Sequence, residues 1–277
     1  MGRIFSFREI EAGSIPDLAD FVSVKKMIEE QLGRAEGIVS ALVCGSVALE
    51  AHDRRSDIDC VVIFHVDEFH STANLLAGIS REASRVHVPV EFIPVDLRTA
   101  THPFHHISPS LFAHITEVSK RGVLVKKNPA TILCEPAGSM RDWTINYLRN
   151  KVRRLEKGLF RPPELESEQE QMRLLQKILE SPVHIARMML AQKGVLGKDD
   201  SRKEVVRLYR ATFQGASCGL LDYLIRTDEE YALELERQIM HADPIIYAQM
   251  LATIRERGFQ AIEFARMNLF DIGYNRV

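Results

Sequence analysis

Two aspartates spaced two apart, Asp57 and Asp59, open an otherwise apolar run, DIDCVVIF, at residues 57–64. Nothing else in this 277-residue chain constrains its fold as tightly. Residues two apart in a strand point to the same face, so both carboxylates share one side while Ile58 and Cys60 take the other. Two ionised acids on one face of a buried sheet repel each other and lose hydration, and a cation relieves both penalties. Magnesium takes a few carboxylates together with triphosphate oxygens. Separated from Asp57 by ten residues, the pair Gly45-Ser46 follows the apolar run IVSALVC (38–44). Glycine permits a tight turn and close backbone approach. A serine at a helix start leaves backbone N–H groups aimed at whatever binds there. Residues 42–64 therefore couple a phosphate-binding turn to a metal mount.

The surrounding pattern alternates. Short β-branched runs at 38–44, 57–64, 86–95 and 122–127 read as strands. Helical periodicity covers 21–33, with Gly33 as its C-cap, then 68–84, then 108–122, with Ser108 as N-cap and Pro109 in the first turn. Alternating strands and helices predict an α/β layer. From about residue 139 the strand signals cease. Segments at 139–159, 168–194, 201–226, 228–244 and 244–270 carry amphipathic helical spacing. Ser181-Pro182 predicts a break or kink in the second of them. The expected fold is thus α/β plus all-α: an N-terminal mixed-sheet domain over 1–137 and a C-terminal up-and-down bundle of four or five helices over 138–277.

The run Gly45-Ser46, ten residues, then Asp57-Ile58-Asp59 followed by apolar residues resembles the DNA polymerase β-like nucleotidyltransferase superfamily. It is most similar to the small bacterial branch, the aminoglycoside and minimal nucleotidyltransferases, over roughly residues 20–127. The resemblance implies a third acid on a later strand, for which Glu91 in VHVPVEFIPV is the candidate; Asp96, at the strand end, reads instead as the start of a turn. It further implies a two-metal displacement in which Asp57 and Asp59 hold Mg2+. Gly45 and Ser46 would bind the triphosphate of a nucleoside triphosphate, ATP being the expected donor. Glu91 would act as general base toward an acceptor hydroxyl, or help hold a metal. The acceptor is a small molecule such as an aminoglycoside, or a protein. The chain departs from the family run Gly-Ser-x-Ala-Arg-Gly, placing Leu49 and Glu50 where that run has arginine and glycine. Arg54 and Arg55 are the nearby cations that could stand in. This departure keeps a rival reading open: a catalytically degenerate, antitoxin-like module that binds nucleotide or a partner.

Composition narrows the classes. Lys plus Arg is 36 against 38 for Asp plus Glu, a balance that argues against a dedicated nucleic-acid binder. The opening residues lack an apolar signal core and no run reaches about 18 apolar residues, so a cytoplasmic protein without membrane spans is expected. Cys44, Cys60, Cys134 and Cys218 are scattered and read as reduced thiols. His102, His105 and His106 read as a polar loop rather than a zinc site. Trp143 and Tyr147 read as bundle core. The basic run Arg149–Arg154 reads as a solvated helix face, with contact to a triphosphate as the alternative. The helical half loosely resembles bundles that accompany small nucleotidyltransferases, including toxin ribonucleases, which place four to six residues between an arginine and a histidine. Arg237 and His241 have only three between them, so the expected role of this half is to shape an acceptor pocket or to form a homodimer.

Overall fold

The structure, a computed structural model, describes residues 2–120, 123–195 and 201–274. It divides into two compact units, one of residues 14–139 and one of residues 2–13 together with 140 onward.

The first unit is built on a four-stranded mixed sheet in the order β3-β2-β1-β4. Strand β1 (Ile38–Cys44) and β2 (Ile58–Phe64) are antiparallel, β2 and β3 (Val90–Asp96) are parallel, and β4 (Val123–Leu124) is antiparallel to β1. The central strands are buried on both faces, which accounts for their nearly continuous apolar runs. On one face Ile58, Cys60 and Val62 pack with Phe21, Ile28 and Leu32 of α2 (Leu18–Arg34) and with Leu76 and Ile79 of α4 (Phe69–Ser84). On the other, Leu42, Cys44, Val61 and Ile63 pack with Val95, Ile107 and Ile115. Helix α4 supplies the crossover that a parallel β2–β3 pair requires.

Several expectations are corrected here. Gly33 lies inside α2, which runs on to Arg34 with Ala35 at its C-cap; Lys126 Nζ donates to the carbonyls of Ala35 and Ile38 and so satisfies the helix end without a glycine. The strand expected over 86–95 begins only at Val90, because His87 turns the chain in the left-handed region at φ 60°. Of the strand expected over 122–127, Val123–Leu124 pairs with β1, with a bridge from Ser40 to Lys127; Arg121 and Gly122 lie outside the described residues. The third helix is α6 (Pro109–Val118), and the Ser108 hydroxyl accepts from Leu111 N as its cap.

Among the described residues of the second unit, the short α1 (Phe7–Glu11) accompanies six helices: α7 (Met140–Leu159), α8 (Glu168–Gln192), α9 (Arg202–Thr212), α10 (Ala216–Met240), α11 (Pro244–Glu256) and α12 (Gly258–Tyr274). Two of the expected helical segments divide differently. The pattern at 201–226 breaks at Gly215, whose φ of 93° suits only glycine. The boundary expected near 227 is absent, since α10 runs through it. The pattern at 244–270 divides at Arg257. Pro182 does not interrupt α8; the Ser181 hydroxyl donates to the Lys177 carbonyl on the turn below. Trp143 is 38% exposed rather than core. The interior is formed by Leu148, Leu155, Ile178, Tyr209, Tyr231 and Phe264, with Tyr209 donating to Asn268 Oδ1 at 2.7 Å. No described helix is long and apolar enough to cross a membrane.

Candidate active site

β1 ends at Cys44 and the chain turns at once into the short helix α3 (Gly45–Ala48). Gly45 sits at φ 78°, where an L side chain is strained. The Ser46 hydroxyl donates to Ser56 Oγ at 3.1 Å, and Ser56 Oγ accepts from Asp53 N at 3.0 Å. The start of the turn is thereby laced to the loop that leads into β2. The turn closes with Glu50 N donating to Val47 O and Ala51 N to Ser46 O at 2.9 Å, the paired bonds of a Schellman motif. Its left-handed residue is Glu50, at φ 56°. The chain thus keeps, with a glutamate, a backbone conformation for which glycine is the usual residue.

Cross-strand register aligns the acids. Cys44 pairs with Asp59 across β1–β2, and Asp59 pairs with Glu91 across β2–β3. Partners in a pair share a face, so Asp59 and Glu91 emerge side by side just past the point where β1 leaves the sheet. Asp57, two residues before Asp59, joins them. One carboxylate oxygen from each of Asp57, Asp59 and Glu91 lies within 4.8 Å of the others. Asp57 and Asp59 are half-buried, and Glu91 is exposed on the edge strand rather than enclosed between its apolar neighbours. Three hard oxygen donors at this separation form a set that a divalent cation fits. Among the described residues this is the metal-capable group. The histidine cluster is spent otherwise: His105 is buried, with Nε2 2.7 Å from Cys134 O and Nδ1 accepting from Ile107 N at 3.2 Å. Asp96 caps α5 (Leu97–Ala100) by accepting from Thr99 N at 2.9 Å.

The neighbouring cations have structural partners. Arg54 Nη1 donates to Pro16 O at 3.1 Å and Asp17 Oδ1 at 2.5 Å. Arg55, a buried side chain, grips Asp53 Oδ2 through Nε at 3.1 Å and Nη2 at 2.8 Å. Burial pushes the Asp53 carboxyl up, but Arg55 outweighs it through charge and hydrogen bonds and holds the group below the usual carboxylate range. Burial, reinforced by Asp59, pushes the Cys60 thiol up to about 12, so it stays protonated on the core side of β2. None of the four cysteines is in a disulfide.

A mixed sheet that carries an acid pair at the head of one strand, a third acid on its parallel neighbour and a glycine turn beside them has the features of a nucleotide-transferring domain. Residues 25–112 match the family model for the nucleotidyltransferase domain, a stretch that spans β1, α3, β2, α4 and β3 with all three acids. The chain therefore carries a nucleotidyltransferase domain, consistent with a DNA polymerase β-like fold, and that domain supports transfer from a nucleoside triphosphate. No curated protein matches the chain.

Proposed function

We propose that the chain moves a nucleoside monophosphate from a nucleoside triphosphate, with ATP the expected donor, to a hydroxyl of an acceptor, a small molecule such as an aminoglycoside or a protein. The observation that carries this reading is the convergence of Asp57, Asp59 and Glu91 beside the Gly45 turn. Asp57 and Asp59 would hold magnesium, which, when bound, offsets phosphate charge as pyrophosphate leaves. The Gly45-Ser46 turn would present backbone N–H groups to the β- and γ-phosphates. Glu91, exposed and facing the same space, would take the proton from the acceptor hydroxyl or complete the cation's ligands.

Titration calorimetry with the four nucleoside triphosphates and Mg2+ tests the reading against an Asp57→Ala/Asp59→Ala double variant. Magnesium-dependent binding in the wild type that disappears in the folded variant is the expected result, and it names the donor base. No binding of any triphosphate by the folded wild type would leave a non-catalytic module as the better account.

A further inference from the structure

The basic run on α7 is not a uniformly solvated face. Arg149, Asn150, Arg153 and Arg154 are exposed, whereas Lys151 is half-buried and its ammonium lies 5.4 Å from the centre of the Tyr147 ring. Positions 147, 151 and 154 follow one another at helical spacing and form a single stripe. Helix α8 packs on α7 and carries Lys177, Glu180, His184 and Arg187 at matching intervals, all half-buried. The stripes meet: Tyr147 is within electrostatic reach of Glu180, Arg187 and Arg154, and Lys151 of Glu180, Arg154 and Lys177.

Two independent observations point to a ligand. The first is charge. Among the groups that act on Tyr147 and Lys151, the cations are Lys151 itself, Arg154, Lys177 and Arg187 and the acid is Glu180, which also accepts from Gln176 Nε2 at 2.6 Å. Like charges crowded on a half-buried surface destabilise one another unless an anion offsets them. Burial above all, with Arg154 and Lys177 adding to it against the pull of Glu180, lowers the Lys151 ammonium below the usual lysine range. The second is hydrogen bonding. The Tyr147 hydroxyl is buried and finds no hydrogen-bond partner among the described residues, where a buried hydroxyl ordinarily has one.

We propose that the α7–α8 face is an anion site that takes a phosphate group, with Lys151 and Lys177 as point charges, Arg154 and Arg187 as flanking cations and the Tyr147 hydroxyl as a donor to a phosphate oxygen. The phosphate belongs to the nucleotide or to a phosphate-bearing acceptor, and the recognition chemistry is the same. The choice between those sources rests on the nucleotidyl-transfer reading; the anion site does not.

The test is calorimetric titration of the full chain with inorganic pyrophosphate in the presence of EDTA, where the acidic cluster has no cation through which to hold phosphate. The wild type is expected to bind. Lys151→Met and Lys177→Met should each weaken binding about tenfold, the scale of one lost charge-assisted hydrogen bond, and Tyr147→Phe should weaken it severalfold. Circular dichroism confirms that each variant is folded, and Lys177→Met preserves the test should Lys151→Met fail to fold. An Asp57→Asn/Asp59→Asn variant should bind pyrophosphate unchanged, which separates this site from the metal reading. Competition by a non-hydrolysable nucleoside triphosphate would assign the phosphate to the nucleotide, and simultaneous binding would assign it to the acceptor. Absence of metal-free binding, or binding indifferent to all three substitutions on α7 and α8, overturns the proposal.

Discussion

A Cβ placed on Gly45 would fall 2.6 Å from Oδ2 of Asp59. The carboxylate stands in the space that any other residue's side chain would need, and the turn holds φ at 78° to bring the backbone there. The glycine that ends β1 and the acid on β2 therefore form one steric unit, and the position of the carboxylate depends on the absence of a side chain opposite.

Gly45→Ala is accordingly expected to lose about 1–2 kcal/mol of stability from the left-handed backbone alone, with a further loss as Asp59 shifts. Urea unfolding measures the first, and Mg2+-dependent stabilisation of the folded variant measures the second. A variant with wild-type stability and wild-type metal response would remove Gly45 from the site.

Glu91 is exposed, so Glu91→Gln is expected to change metal-free stability by less than about 0.5 kcal/mol. Magnesium at a hundredfold excess over its Kd should stabilise the wild type by about 2.7 kcal/mol, and the variant by less at the same concentration. Thermal unfolding with and without Mg2+ reads both quantities. Equal responses would exclude Glu91 from the cation's ligands.

Glu50 occupies the left-handed position of the turn after α3 with an exposed side chain. Glu50→Gly should therefore raise stability by up to about 1 kcal/mol, since glycine adopts that backbone without steric conflict. Chemical denaturation gives the answer, and a destabilised variant would mean that the glutamate side chain contributes more than its backbone costs.

The Asp53–Arg55 pair predicts an acid-dependent contribution. Because Arg55 outweighs burial and holds the folded Asp53 carboxyl low, its stabilisation is complete above the unfolded value of about 3.9. It is lost as pH falls through the lower folded value. Asp53→Asn should be less stable than wild type at pH 7, and the gap should close below about pH 4. A gap that persists at pH 2 would point to packing rather than charge.

What the sequence revealed follows from distance along the chain. Asp57, Asp59 and the Gly45-Ser46 turn lie within fifteen residues, and strand periodicity alone places the two aspartates on one face. Glu91 was recognisable as an acid among apolar residues, but its partner on β2 and its exposure depend on the β2–β3 register and on β3 lying at the sheet edge, which local pattern does not encode. The engagement of Arg54 with Asp17 spans 37 residues and left no trace in composition. Helix boundaries suffered most. The pattern at 201–226 conceals the break at Gly215, and the boundary expected near 227 falls where buried Thr227 and Asp228 carry α10 onward.

The clamp on the N-terminal segment has a consequence for how this chain can be cut. Phe5 N donates to Tyr231 Oη at 3.1 Å, Tyr247 Oη donates to Phe5 O at 2.5 Å, and Ile4, Phe5 and Ile10 are buried. The sheet-bearing unit is thus an insertion, entered and left from the same helical host. A fragment ending at 137 would carry three stranded apolar residues at its head, and a fragment beginning at 140 would lack the peptide that fills its own tyrosine pair. Circular permutants that join 2–13 directly to the helices, with the sheet unit expressed from residue 14, respect the boundary that this fold draws.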